Sequence, residues 1–309
     1  MNEFDLIRDY FTWTIKDPSV ILAVGDDAAI FSLEHGYELV TTTDTLVEGV
    51  HFSATTSAKD IAHKSLAVNL SDIAAMGAKA KYFTLALSMP KIDQSWLQDF
   101  SDSLKHLSEQ YVVSLIGGDT TRGPLNITIT MIGVIEKSKA LTRSGARPGD
   151  GVYVSGTIGD AGLCFWKLSN DLIPSNQELQ RLNCPTPRVE LGLLLKDLAS
   201  ACIDISDGLE QDLSHILKAS SVGAVIEVEK IPISEALLGH IKDSNDWSIP
   251  LCGGDDYELC FTIPEDNEEA LKKLSKSCNV KITKVGVINE SLGLQIEGFD
   301  GQRNSYQHF

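Results

Sequence analysis

Two spacings of apolar residues alternate along this chain. Residues 20–24 (VILAV), 38–43, 83–89, 112–116 and 126–136 (NITITMIGVIE) are short runs rich in Val, Ile and Thr, which predict strands. Between them, residues 57–76 carry Ile61, Leu66, Leu70 and Ile73 at helical spacing, and residues 95–111 carry Leu97, Phe100, Leu104 and Leu107. Ser57 followed by Asp60 reads as a helix start, and Gly77 as its stop. Residues 3–14 predict a short helix with Phe4, Leu6, Ile7 and Phe11 on its apolar side, ended by Pro18. In the second half, strands are expected at 152–155, 202–205, 224–228, 258–263, 280–288 and 292–296. Helices are expected at 187–199, 209–219, 234–241 and 268–277, and the polar stretch 169–183 reads as a loop with weak helix. Strands and helices alternate, so the fold class is mixed α/β (α/β or α+β). A length of 309 residues suits two domains. The basic, turn-rich stretch TRSGARPGDG at 142–151 places the boundary, giving domains 1–140 and 141–309.

Helix 57–76 has one polar line, Ser65, Asn69 and Asp72, while its neighbours Ala67, Val68, Ala74 and Ala75 are apolar. A carboxylate in a helix buried on most sides needs a partner, and a cation would serve. The same chemistry recurs in five turns expected at strand ends: Gly25-Asp26-Asp27, Thr43-Asp44, Gly118-Asp119, Ser206-Asp207 and Gly254-Asp255-Asp256, with Asp204 nearby. Glycine admits close approach of a phosphate, and carboxylates and threonine hydroxyls are the hard oxygen ligands that Mg²⁺ takes. Arg122, Arg143 and Arg147 flank these turns and can clamp phosphate oxygens. Ile116-Gly117-Gly118-Asp119 and Cys252-Gly253-Gly254-Asp255 form a weak internal echo.

Composition narrows the partners. Lys plus Arg number 26 against 43 Asp plus Glu, a net charge of −17 that argues against a nucleic-acid surface. Anionic nucleotides remain possible ligands where divalent cations invert the local field. No basic leader precedes an apolar stretch and no apolar run approaches a bilayer span, so no membrane association is expected. Six cysteines without a CxxC pair read as reduced thiols in a cytoplasmic protein. The P-loop, GxGxxG, HExxH and GxSxG patterns are absent. A metal–phosphate site of this kind fits phosphoryl transfer or phosphate-ester hydrolysis, and a non-catalytic divalent-cation-binding protein is the alternative from another class.

The ordered set GDDAA at Gly25, TTDTLVEGVHF at Thr42, NLSDIAAMGA at Asn69, GGDTTRG at Gly117, LTRSGARPGD at Leu141, DISDGL at Asp204 and GGDDYELCF at Gly253 closely resembles the thiamine-monophosphate kinase family. The resemblance covers nearly the whole chain. Single motifs also occur in relatives such as aminoimidazole ribonucleotide synthetase and selenophosphate synthetase. It implies a two-domain PurM-like fold, with an N-terminal domain that binds metal and ATP and forms a homodimer. It implies ATP-dependent phosphorylation of thiamine monophosphate to thiamine diphosphate with several Mg²⁺ ions. By motif, Asp27, Thr42, Thr43, Asp44, Asp72, Asp119, Asp204 and Asp207 would bind Mg²⁺. Tyr111, Gly118, Asp119, Arg143 and Ser206 would contact ATP. His51, Asp255 and Tyr306 would contact the thiamine phosphate. Asp255 stands where the family usually has Glu, and Ser305-Tyr306-Gln307-His308-Phe309 departs from the family's usual GWDHF or GYDHF.

Overall fold

The computed structural model describes residues 3–24 and 29–301. Asp27 and Tyr306 therefore lie outside the described residues. The chain divides into two compact units, one of residues 1–73 and 78–138, the other of 74–77 and 139–309.

In the first unit a helical turn, α1 (Glu3–Leu6), continues as a π-helical turn to Phe11 rather than to residue 14. A small hairpin pairs β1 (Val20–Leu22) with β2 (Ile30–Phe31). The main sheet holds β3 (Tyr37–Val47), β4 (Lys79–Met89), β5 (Ser114–Arg122) and β6 (Asn126–Glu136) in the order β3-β6-β4-β5. Its helices are α2 (Ala58–Ala75), whose last residues fall in the second unit, and α3 (Gln94–Gln110). Ser57 Oγ accepts from the Asp60 amide at 3.1 Å, and Gly77 follows the helix at φ +65°. Along β6 the alternation is regular: Ile127, Ile129 and Met131 are fully buried, while Thr128, Thr130 and Ile132 are half-buried on the opposite face.

Three stretches differ from expectation here. Val112 is exposed with φ +55°, so β5 begins only at Ser114. The segment 117–122, expected as a loop, is instead strand, laddered in parallel onto β4 from Thr84↔Gly117 to Met89↔Arg122. Gly118 makes this possible, because a Cβ there would overlap the Leu85 carbonyl. Likewise β3 continues to Val47, so Asp44 lies inside a strand and not at its end.

The second unit is a six-stranded mixed sheet of β7 (Gly151–Ser155), β8 (Ala201–Ile205), β9 (Gly223–Glu227), β10 (Glu258–Ile263), β11 (Ile282–Asn289) and β12 (Gly293–Glu297). The order is β12-β9-β11-β7-β10-β8, antiparallel except for β12 against β9. Helices α4 (Asp160–Ser169), α5 (Asn176–Asn183), α6 (Val189–Leu195), α7 (Leu209–Ser220), α8 (Glu235–Ser244), α9 (Ser248–Cys252) and α10 (Glu268–Ser277) surround it. Val152 and Val154 join one core with Leu213 and Ile216 of α7. Tyr153 and Phe261 join another with Leu191 of α6 and Leu271 of α10. Both faces of the sheet are covered, which explains why β7, β8 and β10 read as continuous apolar runs instead of alternating ones.

The polar stretch expected as a loop contains α5, which starts with a reciprocal capping box between Ser175 and Glu178. Glu178 is itself buried and accepts from Lys167 Nζ at 2.6 Å, a tertiary contact that makes up for weak local propensity. Helix α4 was not expected, and α6 is shorter than the 187–199 stretch. The echo between Gly117-Gly118-Asp119 and Gly253-Gly254-Asp255 has no structural counterpart: the first lies in a strand, the second in a turn with Asp255 at φ +68°.

Candidate active site

Strand alternation sorts the residues of the first motif. Thr42, Asp44 and Leu46 share one face of β3, and Thr43 and Thr45 share the other. Thr42 Oγ1 donates to Asp72 Oδ2 at 2.5 Å, which joins β3 to the polar line of α2. Asp44 and Asp72 are also hydrogen-bonded side chain to side chain. Burial first, and the neighbouring Asp72 charge second, push the Asp44 carboxyl up to about 7. Two carboxylates that share a proton hold it where a cation would neutralise both. One turn before Asp72, the fully buried Asn69 donates to the Ser65 carbonyl at 3.0 Å, while its Oδ1 has no hydrogen-bond partner. Two carboxylates and a hydroxyl are hard oxygen donors of the kind that Mg²⁺ takes, so these residues fit that cation. Among the described residues no group of three or more His, Cys, Asp or Glu side chains is clustered for a metal.

Thr43 does not join this pair. Its hydroxyl meets Thr130 Oγ1 at 2.9 Å on the other face of the sheet, as Thr45 meets Thr128 at 2.8 Å. Asp119 is also apart. It is in register with Ala86, Thr128 and Thr45, whereas Asp44 is in register with Ile129, Leu85 and Gly118. Three inter-strand steps separate β3 from β5, about 14 Å of backbone. Tyr111 caps α3, donating its amide to Leu107, and precedes the far end of β5 from Gly118. His51 follows β3 in a turn where its Nδ1 accepts from the Val47 amide at 3.0 Å, which leaves the proton of the neutral ring on Nε2. The His51 carbonyl accepts from the buried Lys64 Nζ at 3.2 Å.

In the second unit the ends of β8 and β10 bring a further set together. Asp204 is buried in β8, paired in register with Leu259. Ser206 and Asp207 follow, and both of their amides donate to Asp212 Oδ2 at 3.0 Å. Asp212 is 3% exposed, and burial pushes its carboxyl up to about 7 against those two amide bonds and the nearby Arg143 charge. The Arg143 backbone carbonyl accepts from Ser220 Oγ at 3.1 Å, at the C-terminal end of α7. Asp255 joins the set through its amide, which donates to the Ser206 carbonyl at 2.9 Å. Gly254 is required there because a Cβ would overlap that same carbonyl. This glycine serves a backbone–backbone approach, where the sequence suggested approach to phosphate. Asp212 had not been singled out. The available signal was its place in the first turn of α7, just after Ser206-Asp207-Gly208.

The sequence matches the family described as AIR synthase related protein, N-terminal domain, over residues 25–135, and the corresponding C-terminal domain over residues 147–298. A two-domain protein of the AIR synthase-related class, with a PurM-like mixed α/β fold, is thus defined. A solved thiamine-monophosphate kinase from Stenotrophomonas maltophilia superposes with a TM-score of 0.90 at 41% identity, covering 96% of this chain and 97% of that one. The thiamine-monophosphate kinase of Haemophilus influenzae is 47% identical over 95% of this chain and 91% of its own length. A structure of AaThiL complexed with AMPPCP and TMP matches with a TM-score of 0.79 at 30% identity, covering 99% of this chain and 96% of that one. The chain belongs to the thiamine-monophosphate kinase family.

Proposed function

We propose that this protein transfers the γ-phosphoryl group of ATP to thiamine monophosphate, giving thiamine diphosphate and ADP. The observation that carries the reading is the full-length relationship to thiamine-monophosphate kinases, 47% identical in one case. The acceptor is a phosphate monoester with a second pKa of about 6, so its attacking oxygen is mostly ionised at neutral pH and needs no general base. Direct in-line transfer without a phosphoenzyme follows from that chemistry. The task left to the protein is to position two polyanions and offset their repulsion.

Asp44 and Asp72, oriented by Thr42, would hold Mg²⁺, and Asp119, Asp204 and Asp207 would hold further ions. Bound Mg²⁺ would neutralise phosphate oxygens and so lower the repulsion between donor and acceptor. For Thr43, whose hydroxyl is turned to Thr130, the backbone carbonyl is the oxygen left to offer. Ser206 and Arg143 would contact ATP in the second unit, Gly118 and Tyr111 in the first, and His51 Nε2–H and Asp255 would contact the thiamine phosphate. Asp27 and Tyr306 keep their motif roles in this proposal.

The open face of the first sheet (Leu39, Thr41, Thr43, Thr128, Thr130 and Ile132) supports a homodimer formed there. Six cysteines, four of them buried, support a reducing cytoplasmic setting. Among the described residues no helix is long and apolar enough to cross a membrane. The deciding experiment is ³¹P NMR of protein, ATP and MgCl₂ with and without thiamine monophosphate. ADP and thiamine diphosphate formed only with acceptor and Mg²⁺ support the kinase. Inorganic phosphate in both samples supports a phosphohydrolase. Metal-dependent melting without turnover supports a binding protein.

A further inference from the structure

The turn that carries Asp255 is held in a conformation its own residues do not favour. Asp255 lies at φ +68° and Tyr257 at φ +52°, both in the left-handed region that L side chains seldom adopt. Something outside the turn must hold it. Between the two sits Asp256, 2% exposed, whose carboxylate oxygens accept from the Gly159 amide at 2.9 and 2.8 Å. Gly159 is the N-cap of α4, itself at φ +85°, where a Cβ would come within 2.9 Å of Pro250 Cα. A Cβ on Gly162, one turn into α4, would meet Gly253 Cα at 3.2 Å, so the start of this helix lies directly against the turn.

Two backbone bonds complete the clamp: the Asp255 amide donates to Ser206 and the Tyr257 amide donates to Ile205 at 2.8 Å. The Tyr257 hydroxyl then donates to Asp255 Oδ1 at 3.0 Å and fixes the side chain itself.

From this geometry we infer that Asp256 is a positioning residue, which anchors the turn to the N-terminus of α4 and thereby presents Asp255 to the thiamine phosphate. The inference rests on the proposed role of Asp255 in substrate binding. Asp is a short side chain, which makes that role dependent on backbone placement, because a side chain with few torsions has little freedom to compensate for a displaced turn. Asp256 acts on the acceptor side in particular. Ser206 meets the turn through its carbonyl, but its amide and that of Asp207 have a second hold on Asp212 that does not pass through Asp256.

The test combines steady-state kinetics with amide hydrogen exchange of residues 253–259, on Asp256→Ala, Asp256→Asn, Asp255→Ala and the Asp255→Ala/Asp256→Ala double variant. Asp256→Ala should speed exchange at the Asp255 and Tyr257 amides. It should also raise KM for thiamine monophosphate roughly tenfold to a hundredfold, with KM for ATP within about twofold. Asp256→Asn, which keeps an oxygen acceptor for the Gly159 amide, should recover most of the loss. In the Asp255→Ala background, Asp256→Ala should add almost nothing.

Unchanged exchange and KM in Asp256→Ala, fully additive effects, or equal loss of both KM values would overturn the inference. If Asp255→Ala itself leaves the thiamine monophosphate KM unchanged, Asp255 is withdrawn from the substrate site and Asp256 is only a helix cap; turnover by the unmodified protein would still stand. Should Asp256→Ala not fold, Tyr257→Phe tests the same clamp by releasing only the side-chain bond, and should give a smaller rise in the same KM. No rise at all would count against it.

Discussion

Asp44 offers the sharpest quantitative test, because its environment makes it a stability switch in the metal-free protein. Burial and the Asp72 charge raise its carboxyl from an ordinary 3.8 to about 7. A group that binds its proton more tightly when folded stabilises the fold fully below the unfolded value. That contribution is lost as pH rises through the folded value. A rise of this size corresponds to a ceiling of about 4 kcal/mol at about 1.4 kcal/mol per pH unit. Because the proton is shared with Asp72, about 2–4 kcal/mol is the range to expect.

The assay is urea unfolding followed by circular dichroism in excess chelator, at about pH 5 and about pH 8, for the unmodified protein and Asp44→Asn. Asp44→Asn removes the titrating group while keeping its size. The part of that contribution below pH 5 is already gone at the first pH, so the stability difference between the two proteins should move toward the variant by about 1.5–3 kcal/mol between those pH values. Comparing the two cancels other titrations, including that of Asp212, which burial raises in the same direction. Millimolar MgCl₂ at the higher pH should then stabilise the unmodified protein more than Asp44→Asn, since the ion replaces the shared proton. A difference that stays flat with pH to within about 0.5 kcal/mol would refute the claim that Asp44 and Asp72 share a buried proton.

Two further outcomes follow from side chains outside that pair. Glu258 is fully buried, accepts from Arg188 Nε at 2.6 Å and from Ser155 Oγ at 2.5 Å, and is paired a second time with the Arg188 guanidinium. Glu258→Ala breaks this buried pair by removing one partner and should cost about 3–5 kcal/mol in denaturant unfolding, with Glu258→Gln milder; a loss below about 1 kcal/mol would mean that the pair behaves as an exposed one. For the proposed dimer, Ile132→Lys places a charge in the half-buried open face of the first sheet and should shift sedimentation from dimer to monomer. An unchanged dimer would move the interface elsewhere.

Much of the fold was legible in the residues because local pattern and tertiary demand agreed. The Ile/Thr alternation of β6 and the runs that became β10 and α10 ended where the pattern ended. The buried character of α2 and the need of Asp72 for a partner also followed from spacing alone, since a polar line inside an apolar helix must be satisfied internally. The ordered motifs were enough to indicate the family.

What the sequence could not supply is which carboxylates meet. Neighbours along a strand face opposite ways, so Thr42 reaches Asp72 while Thr43 turns to Thr130. A glycine-rich stretch that reads as a loop became the edge strand β5, because its backbone had a parallel partner in β4, and this placed Asp119 three strands from Asp44. Asp212 was an ordinary acidic letter, and Asp256 only the second member of an acidic turn, until the fold buried them against the amides of Ser206, Asp207 and Gly159. Propensity and periodicity are properties of neighbours in the chain. Burial, shared protons and long-range hydrogen bonds belong to neighbours in space, and only the tertiary structure decides those.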